Sequence, residues 1–294
     1  MWMISESTAP WRKPQIVILS KLGTSLRDEK YGVSEKKAQV TRQKVNYLGY
    51  ILAPGSRQLS QERMKAIAEL TPPATNNKLR SFLGMTGYGR IYIPGFEQTA
   101  KPLYEVTKGP NTWYMGTKGT HDMWTKHDQA FNKTKQTLVE APALSIPNLN
   151  KPFSLYIAEK QGIALGFLVQ WLGNEPWLVA YFSKKLDTVA TRWPLCLRVV
   201  AATAMLTEEA AKIILGQRLG VLTPHQVQGV LEMKGHLCLT GNRLTRNKAL
   251  LLGNPDVTVK TCNTLMPIES SPYLTHSCSE TSNLTYCSRT DLLD

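Results

Sequence analysis

The sequence predicts an α+β fold, and three successive stretches of the chain support this prediction. Residues 36–52 are β-prone with basic and amide side chains interleaved, which is typical of a short hairpin. Residues 59–141 place apolar residues at helical spacing between capping and breaking residues. Residues 152–262 change to short β-rich runs alternating with apolar helical runs, which favours a mixed sheet with helices packed on it.

The composition indicates a globular chain with a polyanionic partner. A length of 294 residues suggests about two domains, and a hydrophobic content of 42% is too high for a disordered chain. The formal net charge is +13, and basic residues exceed acidic ones throughout residues 1–266. Residues 267–294 instead hold 1 basic residue against 4 acidic ones. An evenly basic body favours an extended footprint on nucleic acid.

The cysteine pattern and the length of the apolar runs favour a reducing compartment inside the cell. Its five cysteines include no C-x-x-C pair, so neither a zinc site nor a disulfide framework is indicated. No apolar run reaches the roughly 18 residues of a membrane span. Residues 1–14 make a poor signal peptide because their charges follow their apolar residues. We therefore expect an intracellular, reducing setting, the cytoplasm or the nucleus, and no membrane partner.

The predicted hairpin over residues 36–52 is the first candidate binding element. We place Gly49 inside its second strand, where a missing side chain is typical of a bulge or of close approach by a ligand. Positive charge beside that point would suit a nucleic-acid backbone, and it comes from Lys36, Lys37, Arg42 and Lys44. From these residues alone, an ordinary surface hairpin with solvated lysines is the alternative.

Helices are predicted in order through the centre of the chain, after a short amphipathic helix over Ile16–Lys30. Ser60 can cap the first of them, and Thr75 or Asn76 can cap the second. The predicted helices are Gln61–Leu70, a second one ended by Pro94-Gly95, Phe96–Thr107 with Pro102 inside it, and Met123–Glu140.

Beyond residue 152, the predicted order of elements is β-β-β-α-β-α-α-β. The predicted ranges are Phe153–Glu159, Ile163–Leu172, Trp177–Ser183, Leu195–Leu215, Arg218–Leu222, Val227–Lys234, Asn242–Leu252 and Val257–Cys262. Residues 267–294 are rich in Ser, Thr and Pro without periodicity, so we expect a linker or a frayed terminus there.

Several short motifs follow one another in a fixed order along the chain. They include Lys36-Lys37-Ala38-Gln39, Tyr47-Leu48-Gly49-Tyr50, Leu79-Arg80-Ser81-Phe82-Leu83-Gly84, Tyr92-Ile93-Pro94-Gly95-Phe96, Lys151-Pro152-Phe153 and Ala180-Tyr181-Phe182-Ser183-Lys184-Lys185-Leu186-Asp187. This series resembles gammaretroviral reverse transcriptases of the murine leukaemia virus type, and it is far more specific than any single motif. The chain is thus similar to an internal piece of a Pol polyprotein from an endogenous retrovirus.

The resemblance implies a division of the chain into four parts. Residues 1–58 resemble a C-terminal palm remnant with a primer-grip-like hairpin, 59–147 a helical thumb, 148–266 an RNase H-like connection domain, and 267–294 a linker or tail. The implied fold is a palm-remnant β-hairpin, a helical thumb and an RNase H-like mixed sheet with flanking helices. The implied nucleic-acid-binding residues are Lys36, Lys37, Arg42, Lys44, Tyr47, Leu48, Gly49 and Tyr50.

The residues that would carry the family's chemistry are missing. Residues 1–4, where the family's Tyr-x-Asp-Asp motif should end, contain no carboxylate. Related retroelements with nuclease activity have an Asp at the position of Ala158, a Glu on the long helix that carries Arg198 here, and an Asp at the position of Pro224. Glu159 is therefore a lone carboxylate in this chain. One carboxylate cannot assemble a metal pair. We therefore expect no catalytic residues, no metal ligands and no cofactor in this chain, although the intact family enzymes use Mg²⁺.

We accordingly expect a segment of reverse transcriptase that is inactive alone and binds RNA–DNA or DNA duplexes without sequence preference. Binding should be weak and salt-dependent because phosphate contacts release counterions. Other Pol chains are expected partners. One alternative is an RNase H-type endonuclease or an RNA-directed DNA polymerase component within a larger Pol product, so enzymatic activity stays open here. Another is a decayed reading frame whose product folds poorly.

Overall fold

The chain is described by a computed structural model over residues 24–26, 28–32, 34, 39, 42–73, 75–108, 121–233 and 241–262, with backbone only at 121–125, 233 and 241. Within this part the strands form two sheets, one of four strands and one of five. The first sheet consists of β1 (Val45–Tyr47), β2 (Tyr50–Ala53), β3 (Ser56–Leu59) and β4 (Leu144–Ser145).

The hairpin of β1 and β2 differs from the prediction in the position of its turn. β1 pairs antiparallel with β2, with Tyr47 opposite Tyr50, so Leu48 and Gly49 form a two-residue turn. Both turn residues have positive φ, 51° at Leu48 and 78° at Gly49, as a type I′ turn requires. The prediction of Gly49 inside a strand is therefore wrong, because its freedom of backbone conformation serves the turn. A further strand, β3, follows the turn at Pro54 and Gly55.

The predicted helices between β3 and β4 are present. They are α1 (Gln61–Ala68), α2 (Asn76–Tyr88), α3 (Phe96–Thr107) and α4 (His121–Val139), with a 3₁₀ turn over Arg90–Tyr92. Ser60 Oγ accepts a hydrogen bond from Arg63 N, and Thr75 Oγ1 accepts one from Lys78 N, each over 3.3 Å. These caps satisfy backbone donors at the two helix starts. Their core includes Leu59 and Leu144 of the first sheet, so helices and sheet form one unit.

The second unit follows the predicted order of elements. Its members are β5 (Phe153–Lys160), β6 (Ile163–Leu172), β7 (Glu175–Lys185), α5 (Leu195–Ile214), β8 (Leu219–Thr223), α6 (Val227–Met233), α7 (Gly241–Leu251) and β9 (Val257–Thr261). The strand order of this sheet is β7-β6-β5-β8-β9. β5 pairs antiparallel with β6 and parallel with β8, which makes the sheet mixed. Leu206 of α5 packs into the core of this sheet with Leu155 and Leu168. The predicted α+β fold class is confirmed.

The two units meet along β7. The Arg57 guanidinium of β3 donates a hydrogen bond to the Val179 carbonyl over 2.9 Å. The Glu97 backbone N–H at the start of α3 donates to Ser183 Oγ over 3.0 Å. These contacts place the helices beside the edge strand of the second sheet.

Several predictions fall outside the described residues or stay predictions. Most of the expected helix over Ile16–Lys30 and all of the expected tail over residues 267–294 lie outside the described part. The division at residues 58, 147 and 266 stays a prediction.

Candidate nucleic-acid interface

The hairpin tip, defined here as Tyr47–Tyr50, presents two large apolar side chains outward. Tyr47 is 59% exposed and Leu48 is 68% exposed. Arg42 and Lys44 are exposed on the segment that leads into β1. The Gln39 side chain fixes this strand by donating to the Asn46 carbonyl over 2.7 Å and accepting from the Asn46 N–H over 2.8 Å. The turn of the hairpin thus exposes apolar groups, and the segment that leads into β1 exposes cations.

The base of the tip is packed on the helices. The Tyr50 ring stacks on Tyr88, with ring centroids 5.0 Å apart, and on Tyr92 at 5.9 Å. The Tyr88 hydroxyl donates to the Leu48 carbonyl, and the Tyr50 hydroxyl donates to the Tyr88 carbonyl, each over 3.3 Å. The Arg63 guanidinium carbon lies 4.3 Å from the centre of the Tyr88 ring. Residues from β2, α1 and α2 therefore surround the turn.

The environments of Tyr50 and Tyr92 keep both phenols protonated. Burial raises the pKa of Tyr50, and the neighbouring Tyr88 phenol raises that pKa further. Burial also raises the pKa of Tyr92 to about 12, although Arg57 acts in the opposite direction. The Tyr50 phenol is therefore neutral at physiological pH and can donate its hydrogen bond to the Tyr88 carbonyl.

The exposed face of α2 adjoins the tip. It carries Arg80, Ser81, Gly84 and Tyr88 at helical spacing. An added Cβ at Gly84 would meet no atom within 4 Å, so this face is open as well as exposed. A rigid surface, such as a duplex groove, could approach the backbone of α2 closely at this point.

The RNase H-like positions come together in the second unit, but their residues do not fit a divalent cation. Arg198, in the first turn of α5, places Nε 3.2 Å from Oε2 of Glu159, whose side chain is 1% exposed. The other Glu159 oxygen accepts a hydrogen bond from Gly162 N over 2.6 Å. Burial lowers the pKa of His225, while Glu159 acts to raise it. The described residues contain no group of three or more His, Cys, Asp or Glu side chains that could hold a metal ion.

The predicted binding residues have different locations in the structure. Lys36 and Lys37 lie outside the described residues. The other predicted residues are the exposed Arg42, Lys44, Tyr47 and Leu48, the turn residue Gly49 and the half-buried Tyr50.

Sequence reasoning missed Arg63 and Tyr88, which contact the tip from α1 and α2. No local signal identifies them, because their contacts with the hairpin join residues that are distant in sequence. The described residues also contain no helix long and apolar enough to cross a bilayer.

Comparisons with known proteins identify the relatives of the chain. A family profile described as an RNase H-like domain found in reverse transcriptase matches residues 124–221. The Pol polyprotein of feline endogenous virus ECE1 is 43% identical, and the match covers 97% of this chain and 27% of that protein. The Gag-Pol polyprotein of baboon endogenous virus (strain M7) is 42% identical, with 97% and 16% covered.

A solved structure has the same fold. The foamy viral protease-reverse transcriptase in complex with an RNA/DNA hybrid matches with a TM-score of 0.74 at 21% identity, covering 96% of this chain and 36% of that one. At this identity the similarity shows the fold alone. The sequence matches confirm the predicted resemblance, although the chain spans only 27% of the feline relative and 16% of the baboon one. The chain is therefore a homologue of a segment of gammaretroviral Pol polyproteins and carries an RNase H-like domain of the kind found in reverse transcriptase.

Proposed function

We propose that this chain holds RNA–DNA or DNA duplexes without reading their sequence and performs no catalysis by itself. The observation that carries the proposal is the exposed surface of the hairpin, with Tyr47 and Leu48 at its turn and Arg42 and Lys44 on the segment that leads into β1. Apolar and aromatic groups can pack on sugars and bases, while the cations neutralise phosphates. The similar foamy viral enzyme is in complex with an RNA/DNA hybrid, which supports this class of ligand.

The electrostatics of the chain favour contacts with phosphate over contacts with base edges. The formal net charge of the chain is +13, and Lys78 and Arg80 add exposed positive charge on α2, the helix whose last residue contacts the tip. Phosphate contacts carry no sequence information, so the expected binding is similar for unrelated duplexes. Each phosphate contact also releases counterions, so affinity should fall steeply as salt rises.

We propose the absence of catalysis because of the side chains that surround Glu159 in the second unit. Metal-dependent cleavage needs several carboxylates that converge on hard cations. Glu159 is instead paired with Arg198 and with the Gly162 N–H. A guanidinium at this distance from the carboxylate opposes a second cation, so we assign no metal or cofactor to this chain. By homology with Pol, we also propose an intracellular setting with other Pol chains as partners.

The proposed function is tested by anisotropy titrations of labelled duplexes at low salt. RNA–DNA hybrids and DNA duplexes of two unrelated sequences are titrated with the full chain, and each titration is repeated over a series of salt concentrations. We expect similar affinities for both sequences and a linear decrease of log K with log salt. Absence of binding at low salt, or a strong sequence preference, would overturn the proposal.

The enzymatic alternative is tested by incubating the hybrid with the chain and Mg²⁺ or Mn²⁺. We expect no cleavage above the buffer background. Cleavage that is lost in the Glu159→Gln variant would assign nuclease activity to the second unit. Cleavage that persists in that variant would have to come from another part of the preparation or of the chain.

A further inference from the structure

The Arg63 side chain packs directly against the backbone of the hairpin turn at Gly49. A Cβ added at Gly49 would lie 2.9 Å from the guanidinium carbon of Arg63, which is closer than real Cβ contacts allow. The Gly49 carbonyl accepts a hydrogen bond from Ser60 N over 3.0 Å, which ties the turn to the residue that caps α1. The glycine thus provides both the positive φ of the turn and the space that Arg63 fills.

Arg63 is held between the turn and an aromatic ring. Its guanidinium carbon lies 4.3 Å from the centre of the Tyr88 ring and 5.8 Å from that of Tyr50. Its Nη1 atom is buried and has no hydrogen-bond partner within the described residues. Stacking and cation–π attraction, rather than directed hydrogen bonds from Nη1, therefore account for its position. A planar guanidinium suits such a site, whereas an ammonium does not stack.

Two hydroxyl groups complete the attachment. Tyr88 is the last residue of α2, and its hydroxyl donates to the Leu48 carbonyl of the turn. The Tyr50 hydroxyl donates back to the Tyr88 carbonyl at the helix end. Leu48 has a φ of 51°, which leucine rarely adopts, so these contacts hold a conformation that the side chain does not favour.

We propose that Arg63 and Tyr88 are positioning residues that fix the hairpin tip on α1 and α2 before any duplex binds. This inference rests on the proposed function and assigns the residues that make the tip a preformed contact surface. With the turn fixed, Tyr47 and Leu48 meet the duplex without an ordering step, and affinity gains from this preorganisation.

A competing role for Arg63 is direct contact with a phosphate, and the two roles differ in measurable ways. Loss of a phosphate contact reduces the slope of log K against log salt by about one, and Lys can replace Arg as a cation. Loss of a positioning contact reduces affinity at an unchanged salt slope. In that case Lys should be nearly as poor a replacement as Ala, because the planar stack is lost in both variants.

The experiment compares Arg63→Lys, Arg63→Ala and Tyr88→Phe with the wild-type chain and with Lys65→Ala as a control. Lys65 is an exposed cation on the same helix. Tyr88→Phe keeps the ring and removes the hydroxyl that donates to Leu48, so it is a mild second variant. Hydrogen exchange at Ser60 and at the tip amides is measured without nucleic acid, and hybrid affinity is measured over a salt series.

We expect faster exchange at these amides in both Arg63 variants and a smaller increase in Tyr88→Phe, with Lys65→Ala unchanged. Hybrid affinity should fall about fivefold in Arg63→Lys at an unchanged salt slope, as the loss of one stacking contact implies. Unchanged exchange in the Arg63 variants, or full rescue of affinity by Lys, would overturn the inference even if the wild-type chain binds duplexes. If the wild-type chain binds no duplex, both the proposed function and the role of the tip in duplex binding are wrong. The hydrogen-exchange rates then still show whether Arg63 fixes the turn.

Discussion

Arg198 and Glu159 form an ion pair in the second unit, with Nε of the arginine 3.2 Å from Oε2 of the glutamate. The glutamate side chain is 1% exposed and the arginine side chain is 27% exposed. The pair lacks the alignment of a good hydrogen bond, so its attraction is mainly electrostatic. The chain thus supplies its own fixed cation to a buried carboxylate.

Removal of this cation should destabilise the fold. In Arg198→Ala, the buried Glu159 would lose its ion-pair partner and keep the hydrogen bond from the Gly162 N–H. We expect the free energy of unfolding, measured by urea titration at neutral pH, to fall by about 2–3 kcal/mol. The matched control is Arg246→Ala, which breaks the exposed pair with Glu208 and should cost less than about 1 kcal/mol. Equal losses in the two variants would contradict the importance assigned to the buried pair.

Glu209 of α5 places Oε2 3.9 Å from Nη2 of Arg90 in the first unit, so it should stabilise the junction of the two units at neutral pH and lose this effect in acid. Burial acts to raise its pKa, but hydrogen-bonded ion pairs with Lys184 and Lys212 outweigh burial, and the net pKa is lowered from 4.5. A carboxyl with a lowered folded-state pKa contributes stability above its unfolded-state pKa and loses it as pH falls through the folded-state value. Glu209→Gln should therefore lower the urea midpoint at neutral pH, and the difference from wild type should shrink below pH 4.5. A difference independent of pH would contradict this explanation.

Glu97, at the same junction, should behave in the opposite way. Burial raises the pKa of its carboxyl above 4.5, and the nearby Arg90, Lys184 and Lys185 only partly oppose this effect. Its stabilising contribution is present in acid and is lost as pH rises through the folded-state pKa. We expect Glu97→Gln to raise the urea midpoint at neutral pH and to have little effect in acid. A lower midpoint at neutral pH would show that the attraction of the nearby cations outweighs the burial of Glu97.

The helices and the second sheet were predictable because their signals are local. Ser60 and Thr75 cap the helices as expected, and α3 has the predicted bounds with Pro102 inside it. The order of elements from β5 to β9 also follows from the alternation of period along the sequence. Capping, breaking and periodicity act over a few residues, so one sequence is enough to detect them.

The hairpin was predicted less well because contacts between distant residues determine it. The turn at Leu48 and Gly49 is stabilised by Tyr88 and Arg63, which belong to helices that follow later in the chain. The two-residue strand β4 closes the first sheet by pairing with Arg57 from far along the sequence. The ion pair of Arg198 with Glu159 likewise joins α5 to β5. Such pairings depend on the assembled fold, so no local sequence pattern predicts them.

The most direct test of duplex binding by the hairpin end of the chain exchanges charge at two places. Arg42→Glu with Lys44→Glu changes the segment before β1, whereas Lys248→Glu with Lys260→Glu makes the same change of charge on α7 and β9. The measurement is hybrid affinity over a series of salt concentrations. We predict that the first pair lowers the affinity and reduces the salt slope by about two, and that the second pair changes both far less. Equal losses for the two pairs would contradict a binding surface at the hairpin and would indicate attraction by net charge alone.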